Sequence, residues 1–338
     1  MTILKRFYYS ACSFLPMSIA LKTKGLQLLL PYHHTVSSEF LPHLSNLYSY
    51  KNEQQFTKDL DFLLRYYTPI SEEDLLKKLN NGIPIKKSFL LTFDDGFREV
   101  YDIIAPILER KGVPAVFFIN PAFIGNKVLF YRCKISLLIQ ELNKNEYHSN
   151  LDNLFGNALG LTASSATKIV LALKNINQNT AGILDTIAEK IGYSFTEFLQ
   201  VQKPFLTTKQ VRELSDRGFA IGAHSLNHPY YKLLSDEDQL KQTVESCKAV
   251  NEMIGSKNCS FSFPHSDQDL SQSLFNSLLQ TNIPAFYGIQ NQKVEWNNRM
   301  LHRFNAERPE TNMLQQVKGL SVLSAIREMR GTNSLIRN

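Results

Sequence analysis

The sequence predicts an α/β fold in which strands and helices alternate and a parallel sheet curls into a barrel. Three short apolar runs, at 89–93, 219–223 and 260–263, have the composition of buried parallel strands. Helix-like stretches separate them, which predicts right-handed βαβ units. Each run is followed by polar residues that could take part in catalysis or ligand binding. Because ligands of parallel α/β folds lie at the carboxyl ends of the strands, we expect these polar residues to meet in one site.

The remaining elements follow from the same periodicities. Four further runs predict strands, at 26–30, 113–120, 283–289 and 300–304. Helices are predicted at 100–110, 207–216 and 235–254. Ser235 and Asp238 have the spacing of a capping box at the start of the last one.

The stretch at about 126–204 breaks this alternation. It has helical periodicity at 134–142, 166–176 and 183–191 and no convincing strand. We therefore expect a barrel over 26–309 that is interrupted by a helical insertion, either a lid or substrate-binding wall or a packing appendage. An N-terminal segment at 1–25 would precede the barrel, and a C-terminal helix and tail at 310–338 would follow it.

Composition excludes several classes of protein. The 338 residues are 43% hydrophobic and 20% charged, which is typical of a globular chain. The net charge is +6 and the pI about 9.0, but Lys and Arg are scattered, so no nucleic-acid partner is expected. No two of the four cysteines form a C-x-x-C pair, and we expect them to be reduced.

The N-terminus resembles a signal peptide only in part. Lys5 and Arg6 precede an apolar region at 7–20, but three serines and Pro16 dilute that region. No run of about 20 apolar residues occurs, so no membrane-spanning helix is predicted. We expect a cytoplasmic location or a peripheral membrane contact through an amphipathic segment.

Two adjacent carboxylates follow the strand predicted at 89–93, in the segment Thr92-Phe93-Asp94-Asp95-Gly96. The glycine permits a tight turn. Two acids so close repel each other, and a cation bound by one would keep the other ionised, as a general base must be. The alternative is an ordinary Asp-Gly turn in which one Asp caps the next helix.

Two imidazoles follow the strand predicted at 219–223, in the segment His224-Ser225-Leu226-Asn227-His228-Pro229. Their spacing of four residues lets both rings converge on one ion. Two His and one Asp would leave Zn²⁺ or a similar metal an open position for water. A pair of surface histidines is the alternative, but the coincidence of the His pair and the Asp pair at two strand ends favours a metal site.

The two segments together resemble the polysaccharide deacetylase, or NodB-homology, family, over roughly residues 26–304. The resemblance implies a distorted (β/α) barrel of the polysaccharide deacetylase type that hydrolyses N-acetyl or O-acetyl groups on sugars. It assigns Asp94 as the catalytic base and three metal ligands, Asp95, His224 and His228. Tyr32-His33 resembles the Tyr-His near the start of many members, with His34 as the competing candidate.

The family's third motif, Arg-x-Pro-Tyr, is altered. This chain reads Ser262-Phe263-Pro264-His265, so the Pro aligns and the backbone N–H of His265 can still hold an oxyanion. The Arg that orients the base is missing. Arg303, on another predicted strand, is a candidate to supply its guanidinium.

The family's last motif places a His general acid on a late strand, commonly after Leu. Leu301-His302 matches it loosely, with Glu295 or Glu307 as the carboxylate that would keep the ring protonated. Because strand side chains alternate, His302 and Arg303 cannot both face the barrel mouth. We expect His302 to face the mouth.

These observations predict a metal-dependent de-N-acetylase that acts on an acetylated glycan. Zn²⁺ is the expected cofactor, and Co²⁺, Ni²⁺ and Fe²⁺ are alternatives. A de-O-acetylase is the nearest alternative activity, because an alkoxide leaves more readily than an amine anion. A non-catalytic glycan-binding barrel is a second alternative, motivated by the missing Arg before Pro264. The sequence does not indicate an oligomeric state.

Overall fold

The structure, a computed structural model, describes residues 3–144, 148–161, 165–268, 270–335 and 337. Its strands are β1 Leu28–Leu29, β2 Pro31–His33, β3 Thr68–Pro69, β4 Ser88–Phe89, β5 Leu91–Phe93, β6 Ala115–Ile119, β7 Ala220–Ala223, β8 Phe261–Ser262, β9 Phe286–Gly288, β10 Met300–His302 and β11 Phe304–Asn305. Its α-helices are α1 Ile3–Cys12, α2 Met17–Ala20, α3 Glu53–Tyr66, α4 Glu72–Asn80, α5 Ala105–Arg110, α6 Tyr131–Lys144, α7 His148–Ala158, α8 Ala166–Lys174, α9 Gly182–Lys190, α10 Phe195–Gln202, α11 Thr208–Asp216, α12 Asp236–Ile254, α13 Gln272–Leu279 and α14 Met313–Met329.

Eight strands form one parallel sheet in the order β10-β9-β8-β7-β6-β5-β2-β11. The two outermost strands are halves of a single segment, because β10 pairs with β9 while β11, beginning two residues after β10 ends, pairs with β2. The change of partner occurs at Arg303. Its N–H donates to the carbonyl of Gly288, whereas the next N–H, of Phe304, donates to that of Leu30. The sheet is thus a nearly closed barrel, and the predicted fold class is confirmed.

A smaller parallel sheet, β1-β4-β3, adjoins the barrel. One residue separates β1 from β2, and one separates β4 from β5, so both runs continue from the small sheet into the barrel. The strands predicted at 26–30 and 89–93 therefore exist as interrupted pairs. The other predicted strands are present, each shorter than the apolar run that predicted it.

The helices predicted between strands are also present. The segment at 100–110 begins with a π-helical turn, Val100–Ile104, before α5. Ser235 caps α12 by accepting the N–H of Asp238, whose carboxylate accepts the Ser235 hydroxyl. Helices α3, α4 and α13 were not predicted, although Asn52 and Gln55 form a capping box at the start of α3.

Helices α6–α10 form the stretch predicted as a helical insertion, of which positions 145–147 and 162–164 lie outside the described residues. Their buried apolar side chains make a cluster separate from the core of the barrel. Phe97, just after the Asp pair, joins this cluster and stacks on Phe205, with ring centroids 5.5 Å apart. The insertion is therefore packed against the segment that carries the Asp pair.

The N-terminal helix α1 packs against α14. The Tyr8 hydroxyl donates to the carbonyl of Gly319 at 2.6 Å, and Lys318 donates to that of Ser13. A side chain at position 319 would clash, because its Cβ would lie 2.6 Å from the ring of Tyr9. Positions 1, 2, 336 and 338 of the predicted terminal segments lie outside the described residues. Among the helices that the structure describes, none combines the length and the apolar character needed to cross a membrane.

Candidate active site

The polar residues that follow β2, β5, β7 and β8 line one cavity of about 200 Å³ at the carboxyl ends of the strands. The sequence-predicted residues that the cavity brings together are Asp94, Asp95, His224, His228 and His265. Gly96 makes the turn after the Asp pair with φ +69°, and a Cβ there would lie 3.0 Å from Ile119. The short parallel strands thus deliver residues distant in sequence to one point.

Asp95, His224 and His228 form a buried cluster. Asp95 Oδ1 lies 3.2 Å from His228 Nε2 and 3.6 Å from His224 Nε2. Ligand atoms bound at about 2.1 Å around a tetrahedral ion lie roughly 3.4 Å apart, so these separations match two edges of such a site. Asp95 Oδ1 and His228 Nδ1 are buried without a hydrogen-bond partner. The three residues could therefore hold a metal ion.

The tautomer of His224 also suits metal binding. Its Nδ1 lies 2.8 Å from the carbonyl of Ser262, which can only accept, so Nδ1 carries the proton and Nε2 offers its lone pair toward Asp95. Burial lowers the pKa of His224 to about 4, so the ring is neutral at physiological pH. A neutral imidazole with one nitrogen anchored to a carbonyl is the form that binds a cation.

Asp94 forms a bidentate ion pair with Arg303. The guanidinium nitrogens lie 2.8 Å and 2.9 Å from the two carboxylate oxygens, and Arg303 is fully buried. Burial alone would raise the pKa of Asp94, but the charge and hydrogen bonds of Arg303 hold it below its ordinary value. Asp94 is therefore ionised at neutral pH, with both oxygens fixed in position.

Arg303 reaches Asp94 from the junction between β10 and β11. Its NH2 group also donates to the hydroxyl of Ser262 at 2.6 Å, and its NH1 group to that of Thr92 at 3.0 Å. Ser262 occupies the position at which the Arg-x-Pro-Tyr motif has its Arg. The small serine leaves room for a guanidinium that arrives from another strand and then binds it.

The expected orientation of His302 was wrong. His302 and Arg303 point in opposite directions, as alternation requires, but Arg303 faces the cavity residues. The His302 ring is buried elsewhere, with Nε2 3.0 Å from Glu295 and Nδ1 3.6 Å from Asp267. Arg337 pairs with the same two carboxylates. Because each face of this buried strand carries one polar residue among apolar ones, its sequence did not indicate which face was inside.

His34 is the histidine of the first-strand motif that lines the cavity. Its Nδ1 lies 2.9 Å from Glu307, which also accepts the backbone N–H groups of His34 and Thr35. Burial lowers the pKa of His34, but the Glu307 carboxylate outweighs this effect and raises the pKa to about 9. His33 instead stacks on Phe93, away from the cavity, with its pKa lowered well below the ordinary value by burial.

His265 follows β8 and takes a left-handed backbone conformation, with φ +59°. Its ring stacks on Tyr230, with the centroids 3.6 Å apart and the planes nearly parallel. Within the part of the chain that the structure describes, its backbone N–H has no acceptor. The N–H is thus available as a hydrogen-bond donor.

Three other residues of the site share this conformation: Asp95, Ser225 and His228 have φ between +58° and +73°. Such backbone costs of order 1–3 kcal/mol per non-glycine residue, and it concentrates at functional sites. Ser225 was not predicted as a site residue. Its hydroxyl accepts the N–H of His228, and Asn120 donates to its carbonyl, so both hold the His loop in place.

Apolar and aromatic side chains also line the cavity. They include Leu44, Leu47 and Tyr48 from the segment after β2, and Phe130, which precedes α6. Phe130 packs on His228, with ring centroids 4.6 Å apart. The start of the insertion therefore contributes one wall of the site.

A sequence model of the family described as "Polysaccharide deacetylase" matches residues 81–149 and 166–285, together more than half of the chain. The matched residues include the Asp pair, the His pair and Ser262 to His265. His34, Arg303 and Glu307 lie outside it. No curated protein matches the sequence.

Solved deacetylase structures share the fold. The chain resembles the Streptococcus pyogenes deacetylase PplD in complex with acetate, with a TM-score of 0.55 and 14% identity over 87% of this chain and 97% of that one. It also resembles IcaB from Ammonifex degensii, with a TM-score of 0.54 and 16% identity over 87% and 97%. A de-N-acetylase from Aggregatibacter actinomycetemcomitans follows, with a TM-score of 0.51 and 15% identity over 86% and 99%. With the family model matched across the segments that build the cavity, the chain belongs to the polysaccharide deacetylase family.

Proposed function

We propose that this protein is a metal-dependent carbohydrate de-N-acetylase. The observation that carries the proposal is an ionised, oriented carboxylate, Asp94, directly beside a three-residue cation site. A buried carboxylate stays charged only when an opposite charge or hydrogen bonds stabilise it. The ion pair with Arg303 provides both for Asp94. Family membership supports the hydrolase class, and the similarity to a protein described as a de-N-acetylase favours an N-acetyl substrate.

We assign the metal ligands as Asp95, His224 and His228. A divalent cation held there would polarise the acetyl carbonyl and make water more acidic. Two imidazoles and one carboxylate favour Zn²⁺, with Co²⁺, Ni²⁺ and Fe²⁺ as alternatives.

Asp94 acts as the general base and removes a proton from the attacking water. The guanidinium of Arg303 donates a hydrogen bond to each Asp94 oxygen. Each oxygen keeps a further lone pair that can accept a proton. The backbone N–H of His265 donates to the oxyanion of the tetrahedral intermediate. This role needs no particular side chain at position 265, so a His in place of the family's Tyr is compatible with it.

We propose His34, rather than His302, as the general acid. An amine leaves only when protonated, so the acid must hold a proton at neutral pH and lie at the cavity. The Glu307 carboxylate supports both requirements, since it fixes the ring and raises the pKa of His34. His302 lies outside the cavity lining, so a role for it in catalysis would be indirect.

The glycan-binding alternative loses its motivation, because a guanidinium supports the base despite the missing motif Arg. The test also includes O-acetylated substrates, because de-O-acetylation is the nearest alternative activity. Purified protein, stripped of metal and then reloaded with one divalent metal at a time, would be assayed for acetate release from N-acetylated and O-acetylated oligosaccharides. The proposal expects metal-dependent release from an N-acetyl substrate. Retention of glycan without acetate release would support a binding protein, and release from O-acetyl sugars alone would support the esterase.

A further inference from the structure

Arg132 is the charged residue of the cavity lining that the proposed chemistry leaves unused. It is the second residue of α6 and lines the cavity from the side of the insertion. Its contact with the protein is a long hydrogen bond of 3.4 Å to the carbonyl of Lys174. No carboxylate among the described residues lies within ion-pair distance of it.

The other charges of the cavity are already matched. Arg303 pairs with Asp94, and His34 pairs with Glu307. A cation bound by the three proposed ligands would more than neutralise Asp95. Arg132 is therefore a positive charge of the cavity lining that no carboxylate among the described residues balances, and it is available to a ligand of opposite charge.

The start of α6 adds to this positive potential. Its first turn contains no acidic residue. The partial positive charge of the helix N-terminus is thus uncompensated by the helix itself and lies beside Arg132. Arg132 and His265 line the same cavity, so the guanidinium lies in the cavity that holds the proposed oxyanion donor.

We propose that Arg132 binds an anionic group of the substrate, so that the acetylated saccharide on which this enzyme acts carries a carboxylate or a phosphate. This inference rests on the proposed function, because it specifies the substrate of the same site. A planar guanidinium binds either group through two parallel hydrogen bonds. The apolar wall of Tyr48 and Phe130 offers surfaces for the faces of the sugar ring.

The test compares three probes: neutral di-N-acetylchitobiose, N-acetylglucosamine 1-phosphate, and an N-acetylated disaccharide that contains a uronic acid. Dissociation constants would be measured by calorimetry and kcat/KM by acetate release, both on the metal-loaded full chain. The variants are Arg132→Gln and Arg132→Lys. Lys127→Gln is the matched control, because Lys127 is exposed in the same segment and does not line the cavity. Thermal unfolding would verify that each variant is folded.

The wild-type protein should bind at least one anionic probe roughly tenfold or more tightly than the neutral one, and added salt should reduce the difference. Arg132→Gln should weaken binding of that probe by about ten- to a hundredfold, far more than binding of the neutral probe. The affinity of Arg132→Lys for that probe should fall between those of the wild type and Arg132→Gln. The affinity of Lys127→Gln should match that of the wild type. The anionic probe whose binding Arg132→Gln weakens shows whether the site prefers a phosphate or a carboxylate.

Equal affinity of the wild type for all three probes, or an equal loss on all of them in Arg132→Gln, would overturn the inference. Acetate release without charge preference would leave the deacetylase proposal intact and remove only the anion site. Binding that depends on Arg132 without acetate release from any probe would support the anion site and contradict the deacetylase proposal.

Discussion

Replacing Arg303 by Met tests the central pair of the site. Met has a similar length and no charge, so the change removes the guanidinium without opening a large cavity. It breaks two hydrogen bonds to Asp94 and one each to Thr92 and Ser262. The Asp94 carboxylate would then be buried with no opposite charge directly bonded to it.

The structure indicates the size of the effect. Breaking a buried ion pair by removing one partner costs about 3–5 kcal/mol of unfolding free energy. Without Arg303, burial would raise the pKa of Asp94, so that the base is protonated over more of the neutral range. We expect the loss in kcat/KM at pH 7 to be on the order of 10² to 10⁴, with partial recovery as the pH rises.

A double-mutant cycle with Asp94→Asn measures the pair directly by urea unfolding. Because Asp94→Asn removes the charge that Arg303 neutralises, the double variant should lose less stability than the two single losses together, by about 2 kcal/mol or more. Arg299→Met is the matched control. Arg299 is a partly buried arginine that donates to the carbonyls of Leu279 and Thr281 rather than to Asp94. The Arg299→Met substitution should lower the free energy of unfolding without shifting the pH profile of kcat/KM.

Additive stability losses in the Asp94 and Arg303 variants would refute the reasoning. So would an Arg303→Met enzyme with the wild-type pH profile. Either result would mean that Arg303 stabilises the barrel without controlling the ionisation of the base.

Further predictions concern the proposed site residues, the buried Glu99 and the insertion. Alanine in place of any proposed metal ligand (Asp95, His224 or His228) should abolish bound metal, measured by mass spectrometry; Asp94→Asn should keep the metal but lose about 10² to 10⁴ in rate. His34→Gln should lose far more activity on an N-acetyl sugar than on an activated acetyl ester, whose leaving group needs no proton; equal losses would indicate a positioning role. Burial raises the pKa of Glu99 from 4.5 to about 6, so its contribution to stability is complete below pH 4.5 and is lost as the pH rises through 6. Glu99→Gln should therefore gain roughly 2 kcal/mol above pH 6 in urea unfolding, and an unchanged difference between pH 4 and 8 would contradict this. A Gly/Ser linker in place of 126–204 should impair activity on long glycans, since the insertion supplies a wall of the cavity; unchanged kinetics would make it a packing appendage.

The clustering of the proposed metal ligands could be predicted from the sequence because each pair is local. Asp94-Asp95 and His224 with His228 are short patterns, each directly after an apolar run that folds as a strand. Parallel strand order then brings the two patterns together. No long-range contact had to be known in advance.

The ion pair that supports the proposed base, and the histidine proposed as the acid, could be predicted only in part. Arg303 and Asp94 are 209 positions apart, and nothing local to either residue indicates their pairing. On the last strand, all residues from Met300 to Phe304 are buried, so no apolar and polar alternation indicated which side of the strand His302 would take. Glu307 was considered as a partner for His302, and its contact with His34 depends on how β11 pairs with β2.

The closure of the barrel at Arg303 has a consequence for when the protein becomes active. The segment that completes the ring, from β10 to β11, also carries the cation that supports Asp94. During synthesis, every other residue of the proposed metal site and the base emerges from the ribosome before this segment does. A nascent chain that stops short of residue 303 contains the proposed metal ligands but lacks the guanidinium that pairs with Asp94. On the proposed roles, full hydrolytic activity therefore depends on the segment that closes the barrel.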